Sequence, residues 1–306
     1  MARHLIVHHT TEYTYREPVR FGQHRMMFRP RDSHTLRLLD TNLRIVPKPD
    51  RVRWMYDTFG NSIAYADFGD AESDTLRFES EIGILHYEAP QPTDALLETA
   101  GTFPFCYMPD EQPDLDAVMT PQPHPEHARV VDWAKDVAQR ANGQTLSVLK
   151  EMMTSIRRDV AYRRRSTMGT QHPAQTLNLG TGTCRDFAWL MIEALRALGF
   201  AARFVSGYIY SPSRTRHQGG GATHAWVQVY LPGCGWIEMD PTNGIFGNRD
   251  LIRIAVARHP GQARPLSGAF IGRRSAYSGI SVSVAVSNAE TEQQSAALDT
   301  PFANAS

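Results

Sequence analysis

Gly180-Thr-Gly-Thr-Cys184-Arg-Asp186-Phe187-Ala-Trp-Leu190 is the stretch whose reading decides the fold. A glycine-rich turn delivers a cysteine to the start of an apolar run. From there Phe187, Leu190, Met191, Ala194, Leu195 and Leu198 recur at helical spacing, and Gly199 supplies a stop of the left-handed type. The pattern therefore predicts a helix that begins at or beside Cys184. At such a position unpaired backbone N–H groups and the positive end of the helix dipole favour a thiolate. The same glycine-rich approach is a poor setting for an inert buried thiol.

Two further stretches follow in order. Thr223-His224-Ala225-Trp226-Val-Gln-Val-Tyr230 alternates as a β-strand with His224 near its start. Gly235-Trp236-Ile237-Glu238-Met239-Asp240-Pro241-Thr242-Asn243 reads as a second strand ending in a turn, with Asp240 last. A short connection between them lets the strands lie side by side, so that Asp240 can hydrogen-bond the ring of His224. Cysteine, histidine and aspartate in these settings make a nucleophile, a base and its orienting group.

Together these stretches resemble the transglutaminase-like superfamily, and more narrowly the bacterial transglutaminase-like proteins described as cysteine proteases. The resemblance rests on cysteine opening a helix, His224-Ala-Trp on a strand, and Trp236-x-x-x-Asp240-Pro-Thr-Asn on the next. It implies an α+β, papain-related fold in which a helix carrying the catalytic cysteine packs on an antiparallel sheet. It also implies Cys184, His224 and Asp240 as the triad. The N-terminal region resembles the β domain that precedes this core in the bacterial family, through His9-Thr-Thr-x-Tyr13-x-Tyr15, Arg29-Pro30-Arg31 and Asp57-x-Phe59-Gly60-Asn61. Two positions depart from the family pattern. Gln228 stands where relatives often carry Glu, and Ala257-Arg258-His259-Pro260 replaces a Gly-Arg-Asp-Tyr run.

Composition narrows the function class. The chain has 306 residues, with 32 Lys+Arg against 32 Asp+Glu, so no global charge points to nucleic acid or an anionic membrane. Three cysteines make no disulfide framework, and a reducing, cytoplasmic location is expected. Cys106 and Cys234 read as ordinary non-catalytic thiols. No Cys-x-x-Cys or His-x-x-x-His spacing suggests a metal site, and Asp114-Leu-Asp116 lacks the glycine and distal glutamate of a calcium loop, so no cofactor is expected. No apolar run reaches membrane-spanning length, and Met1 to His9 reads as a first strand instead of a leader.

Residues 1–88 read as an antiparallel β-sandwich domain, with strands from Leu5, over Arg25–Arg31, Thr35–Val46, Arg51–Tyr56, Ser62–Phe68 and Thr75–Leu85. Tyr13, Tyr15, Trp54 and Phe59 read as its core. Residues 89–125 are rich in proline and read as an irregular connection with a short helix over 93–99. The catalytic core is expected over 126–286. Helices over Glu126–Ala141 and Thr145–Tyr162 lead into it, followed by the basic cluster Arg157, Arg158, Arg163, Arg164 and Arg165. That cluster reads as a solvated helix end. A strand over Ala201–Tyr210, a glycine-rich loop over 211–221 placed to act as a lid, and closing strands over Leu251–Ala257 and Ile280–Val286 complete the core. The tail 287–306 reads as disordered.

The implied chemistry is acyl transfer through a Cys184 thioester on a peptide or protein amide substrate. The Cys184 backbone N–H is one oxyanion donor; Tyr162, Gln171 and Trp226 are candidates by type for a second. Asp186 reads as a helix-start stabiliser. The thioester can pass to water or to an amine. Hydrolysis is favoured because a cross-linking enzyme needs a screened acceptor channel, which animal transglutaminases build with additional domains, whereas Gly219-Gly220-Gly221 suggests a mobile cover. The alternatives are a protein-glutamine cross-linking transglutaminase and a non-catalytic peptide-binding module on the same fold.

Overall fold

The computed structural model describes residues 2–89, 95–164, 169–211 and 222–289. The described chain forms two compact units. Of the described residues, the first draws on 2–88, 208–211, 222–223 and 266–289, the second on 89, 95–164, 169–207 and 224–265.

The first unit opens with β1 (Ala2–Phe21), followed by β2 (His24–Met26), β3 (Leu36–Val46), β4 (Arg51–Tyr56), β5 (Ser62–Asp67) and β6 (Glu72–Tyr87). Along β1, Leu5, Val7, His9 and Thr11 are buried in turn, the period of two that a half-covered strand dictates. β2 is shorter than the sequence suggests. The chain leaves the ladder after Met26, and Met27 and Phe28 are buried outside it, just before Pro30, which has no N–H to contribute. β4 is exposed at every residue, so Trp54, expected in the core, stands 45% exposed with the Arg29 guanidinium over its ring. Alternation identifies a strand, but only the sheet order shows that β4 lies at an edge.

The second unit departs first from expectation in the proline-rich segment. Residues 98–100 form one turn of 3-10 helix, and 90–94 lie outside the described residues. A helix that sequence reading missed, α1 (Gln112–Met119), follows. Pro113 sits in its first turn, where no N–H is needed, so proline there starts a helix instead of breaking one. Leu115 and Val118 then pack with Tyr107 and Ala201. α2 (His127–Gln139) buries Val130, Ala134 and Val137, and α3 (Thr145–Asp159) buries Leu149, Met152, Met153 and Ile156. These are the apolar faces their spacing indicates.

Next come β7 (Ala161–Tyr162), α4 (Pro173–Leu179), β8 (Thr181–Gly182), α5 (Cys184–Ala197), β9 (Ala202–Ile209), β10 (His224–Leu231), β11 (Gly235–Asp240), β12 (Ile245–Phe246) and β13 (Leu251–Ala257). The sheet order is β12-β11-β10-β9-β13, with antiparallel pairing from β9 through β12. α5 packs on β10 and against α2 and α4, so both its faces are covered. Even Glu193 and Arg196 are buried on it. They satisfy each other at 2.9 Å while Arg196 also donates to the carbonyls of Val118, Ala202 and Arg258, and Glu193 accepts from the Gln122 N–H.

The chain returns to the first unit with β14 (Leu266–Ser267), β15 (Phe270–Ile271) and β16 (Tyr277–Asn288). β14 pairs with β2, and β15 and β16 pair with β1. The strand expected over 280–286 thus completes the first unit's sheet and does not close the core; Val7 of β1 pairs with Val286. Strand patterning carries no information about which edge a strand will join. The resulting sandwich has its core between the two sheets, with Tyr15, Phe21, Phe28, Phe68, Leu76 and Phe78 prominent in it.

Candidate active site

Cys184 is the first residue of α5 and 7% exposed. Thr183 caps the helix, and its N–H and hydroxyl both donate to Asp186 Oδ2 at 2.8 Å. Asp186 Oδ1 accepts the Gln171 N–H at 2.7 Å. The fully buried Asp186 carboxylate therefore stitches the α4 approach to the start of α5, the structural part expected of it. Gly182 is needed for close approach: a Cβ there would lie 2.9 Å from the Asp186 Cβ. At the far end Gly199, at φ +87°, donates to the Arg196 carbonyl and closes the helix as its sequence position indicates.

His224 begins β10 and Asp240 ends β11. These antiparallel neighbours bring that start and that finish to the same end of the sheet. His224 Nε2 donates to Asp240 Oδ2 at 2.8 Å, the direction fixed by a carboxylate that can only accept. Both side chains are withdrawn from solvent. Asp240 also accepts the Thr242 N–H and the Asn243 Nδ2–H, each at 2.8 Å. Burial alone would raise the Asp240 carboxyl, but the charge and hydrogen bond of His224, with those of Asn243 and Thr242, hold it below the usual carboxylate range. The sequence pattern alone assigns Asn243 no part. Its place three residues after the aspartate, in the turn that ends β11, is the signal that marks it.

Cys184 opens α5, which packs on the strand that carries His224. His224 Nδ1 is buried without a hydrogen-bond partner among the described residues, while the electrostatic influence of Cys184 favours imidazolium. Burial pushes the His224 proton off; Asp240 first, then Cys184, more than offset this and raise its pKa. Of the three residues singled out from the sequence, His224 and Asp240 are joined directly, and Cys184 begins the helix packed on β10.

The packing behind His224 is tight. Trp226 stacks beside the imidazole with ring centroids 5.9 Å apart, and its indole N–H donates to Glu238. Gly207 pairs with His224 across β9 and β10, and a Cβ there would fall 2.1 Å from the Ile252 carbonyl oxygen and 2.7 Å from the Trp226 ring. Glu238 also accepts from Gln228 Nε2 at 2.7 Å, and Gln228 Oε1 accepts from Arg203 Nε at 2.7 Å. The amide at 228 therefore bridges a cation and a carboxylate, where a second carboxylate would face Glu238 directly. The other departing stretch holds α5: the Arg258 carbonyl accepts from Arg196 and the Pro260 carbonyl from Arg185.

Cys106 is exposed, and Cys234 lies in the turn between β10 and β11. Of the basic cluster, Arg158 bonds Asp159 and Arg165 lies outside the described residues. The expected lid over 211–221 likewise falls outside them, apart from Ser211. Among the described residues no helix is long and apolar enough to cross a membrane.

Comparison with known proteins agrees with this architecture. Residues 131–241 match the transglutaminase-like superfamily, and residues 5–84 match the bacterial transglutaminase-like N-terminal region. An uncharacterized protein of Mycobacterium tuberculosis is 30% identical over 301 residues, covering 92% of this chain and 91% of that protein. The uncharacterized Bacillus subtilis protein YebA is 26% identical over 148 residues, 46% of this chain and 19% of that one. A crystal structure from Cytophaga hutchinsonii, described as a "putative cysteine protease", superposes with a TM-score of 0.72 at 19% identity. It covers 94% of this chain and 91% of that one.

Proposed function

Because this chain belongs to the transglutaminase-like superfamily and carries the bacterial transglutaminase-like N-terminal region, we propose that it is a cysteine-dependent amide hydrolase with Cys184, His224 and Asp240 as its triad. The observation that carries the reading is the buried ring of His224, bonded to Asp240 through Nε2, on the strand against which the helix opened by Cys184 packs.

In this reading the Cys184 sulfur attacks the carbonyl carbon of a peptide or related amide, and the C=O π electrons move onto oxygen. The Cys184 backbone N–H, in the first turn of α5, has no helical acceptor and faces that developing charge. Collapse of the tetrahedral intermediate breaks the C–N bond as His224 Nδ1 gives its proton to the leaving amine, and a thioester remains. His224 then takes a proton from water, the hydroxide oxygen adds to the thioester, and the acid and the thiolate are released. Asp240 fixes the ring so that Nδ1 faces the sulfur and stabilises the imidazolium. Hydrolysis is preferred to amine transfer on sequence grounds, since Gly219-Gly220-Gly221, outside the described residues, carry no side chains to screen an acceptor amine from water.

The test uses a Cys106→Ala/Cys234→Ala background, so that only Cys184 reports. Iodoacetamide at pH 6–7 is expected to alkylate it faster than a model thiol, and Cys184→Ala to abolish labelling; equal rates would remove the activated nucleophile. Turnover of a peptide library with excess labelled primary amine is then read by mass spectrometry. Free-acid products are expected; dominant amine adducts would replace hydrolysis with cross-linking.

A further inference from the structure

The proposed reaction leaves one position open. A tetrahedral oxyanion is held best by two preorganised donors, and the backbone supplies Cys184 N–H as the first. Two of the three side chains of suitable type are already engaged. The Trp226 indole N–H donates to Glu238. Gln171 Nε2 donates to the Thr181 carbonyl at 3.0 Å and to Thr176 Oγ1 at 3.3 Å. Withdrawing either would strand a buried acceptor.

Tyr162 differs. It lies on β7, which pairs in parallel with β8 so that Tyr162 stands opposite Gly182, two residues before Cys184. The Arg163 N–H donates to the Gly182 carbonyl at 2.8 Å and locks that register. The phenol ring meets Phe187 of α5 edge to face, with centroids 6.1 Å apart, and the side chain is half-buried. The charge of Arg164 acts on this phenol in the lowering sense and so polarises its O–H. Burial first, then the charge of Cys184, with a smaller push from Asp240, raise the Tyr162 pKa, so the proton stays on the oxygen at neutral pH. Phe187 lies three residues after Cys184 on α5, so the ring contact and the Gly182 register together set Tyr162 at the start of that helix.

We propose that the Tyr162 hydroxyl, held beside the start of α5 by the β7–β8 pair, is the second oxyanion donor of this site. It donates a hydrogen bond to the carbonyl oxygen as the sulfur–carbon bond forms, and no proton is transferred. This rests on the thioester reading above. It also gives one arginine of the basic cluster a part beyond complementing the end of a helix.

The experiment compares two reactions of Cys184 in the full chain with Cys106 and Cys234 replaced by alanine. Acylation by p-nitrophenyl acetate passes through an oxyanion and releases p-nitrophenolate, whereas alkylation by iodoacetamide displaces iodide at a saturated carbon and forms none. Tyr162→Phe keeps the ring against Phe187. It is expected to slow acylation by about 100-fold and to change alkylation less than about twofold, since no oxyanion forms there. Arg164→Gln, at an exposed position, is expected to lose several-fold in acylation alone. Acylation of Tyr162→Phe at the unsubstituted rate, or an equal loss in both reactions, overturns the assignment and leaves the triad standing. Acylation that persists in Cys184→Ala, or is absent in the starting protein, overturns the thioester reading and this inference with it.

Discussion

His224 Nε2 lies 2.8 Å from Asp240 Oδ2 with both side chains out of solvent, and Asn243 and Thr242 supply further donors to the same carboxylate. The aspartate is thus held by three groups while it orients one. Asp240→Asn would keep the shape but offer an amide where the ring needs an acceptor. Its kcat is expected to fall by about 10³–10⁴ on whichever amide proves to be turned over, with KM changing little. Asn243→Ala, which removes one supporting donor, is expected to lose about tenfold. Steady-state kinetics of the two variants checks the order; an Asn243→Ala defect as large as that of Asp240→Asn would show that the turn, not the carboxylate, sets the ring.

The same pair makes stability depend on pH in a definite sense. His224 has its pKa raised by folding, so its contribution is full below the unfolded histidine value of about 6.5 and is lost as pH climbs through the raised one. Asp240 has its pKa depressed, so its contribution is full above about 3.9 and is lost as pH falls through the lowered one. The pair therefore stabilises most between about pH 4 and 6.5. Thermal unfolding from pH 3 to 10 is expected to show the largest gap between the protein and its His224→Gln variant in that window. A gap that widens above pH 8 would contradict the raised histidine.

Gly207 has no room for a methyl group, because the Ile252 carbonyl and the Trp226 ring occupy the space. Gly207→Ala is expected to destabilise by about 1–3 kcal/mol in denaturant unfolding. Since Gly207 pairs with His224 in the ladder, iodoacetamide alkylation of Cys184 is expected to slow in the fraction that remains folded. Unchanged stability would mean that the β9 backbone yields without cost.

Glu193 and Arg196 form a buried pair inside α5, with Arg196 held to three backbone carbonyls. Arg196→Met leaves Glu193 buried beside no cation and strips those carbonyls of their donor. It is expected to cost about 3–5 kcal/mol. Adding Glu193→Leu should recover part of that loss, because it removes the stranded charge; the carbonyls remain unsatisfied. A double-mutant cycle in urea measures both, and a double variant less stable than Arg196→Met would contradict the account.

Much of this protein was legible along the chain because its signals are local. A glycine-rich turn before an apolar helix, a histidine at the start of one strand and an aspartate at the end of the next mark Cys184, His224 and Asp240 as candidates through residue type, local pattern and the family resemblance of the flanking residues. The capping glycine at 199 and the faces of α2 and α3 follow from the same short-range rules. What the tertiary structure decided depends on partners far apart in sequence. β16 alternates like any strand, and only the free side of β1 made it part of the first unit. Trp54 looks like core until β4 proves to be an edge. Pro113 looks like a breaker until its position in a first turn is known. Tyr162, Gln171 and Trp226 were equal by residue type, and they separated only when the hydrogen bonds of two were found committed elsewhere. A side chain's chemistry is written in the sequence, but whether its donor is free is settled by what the fold brings against it.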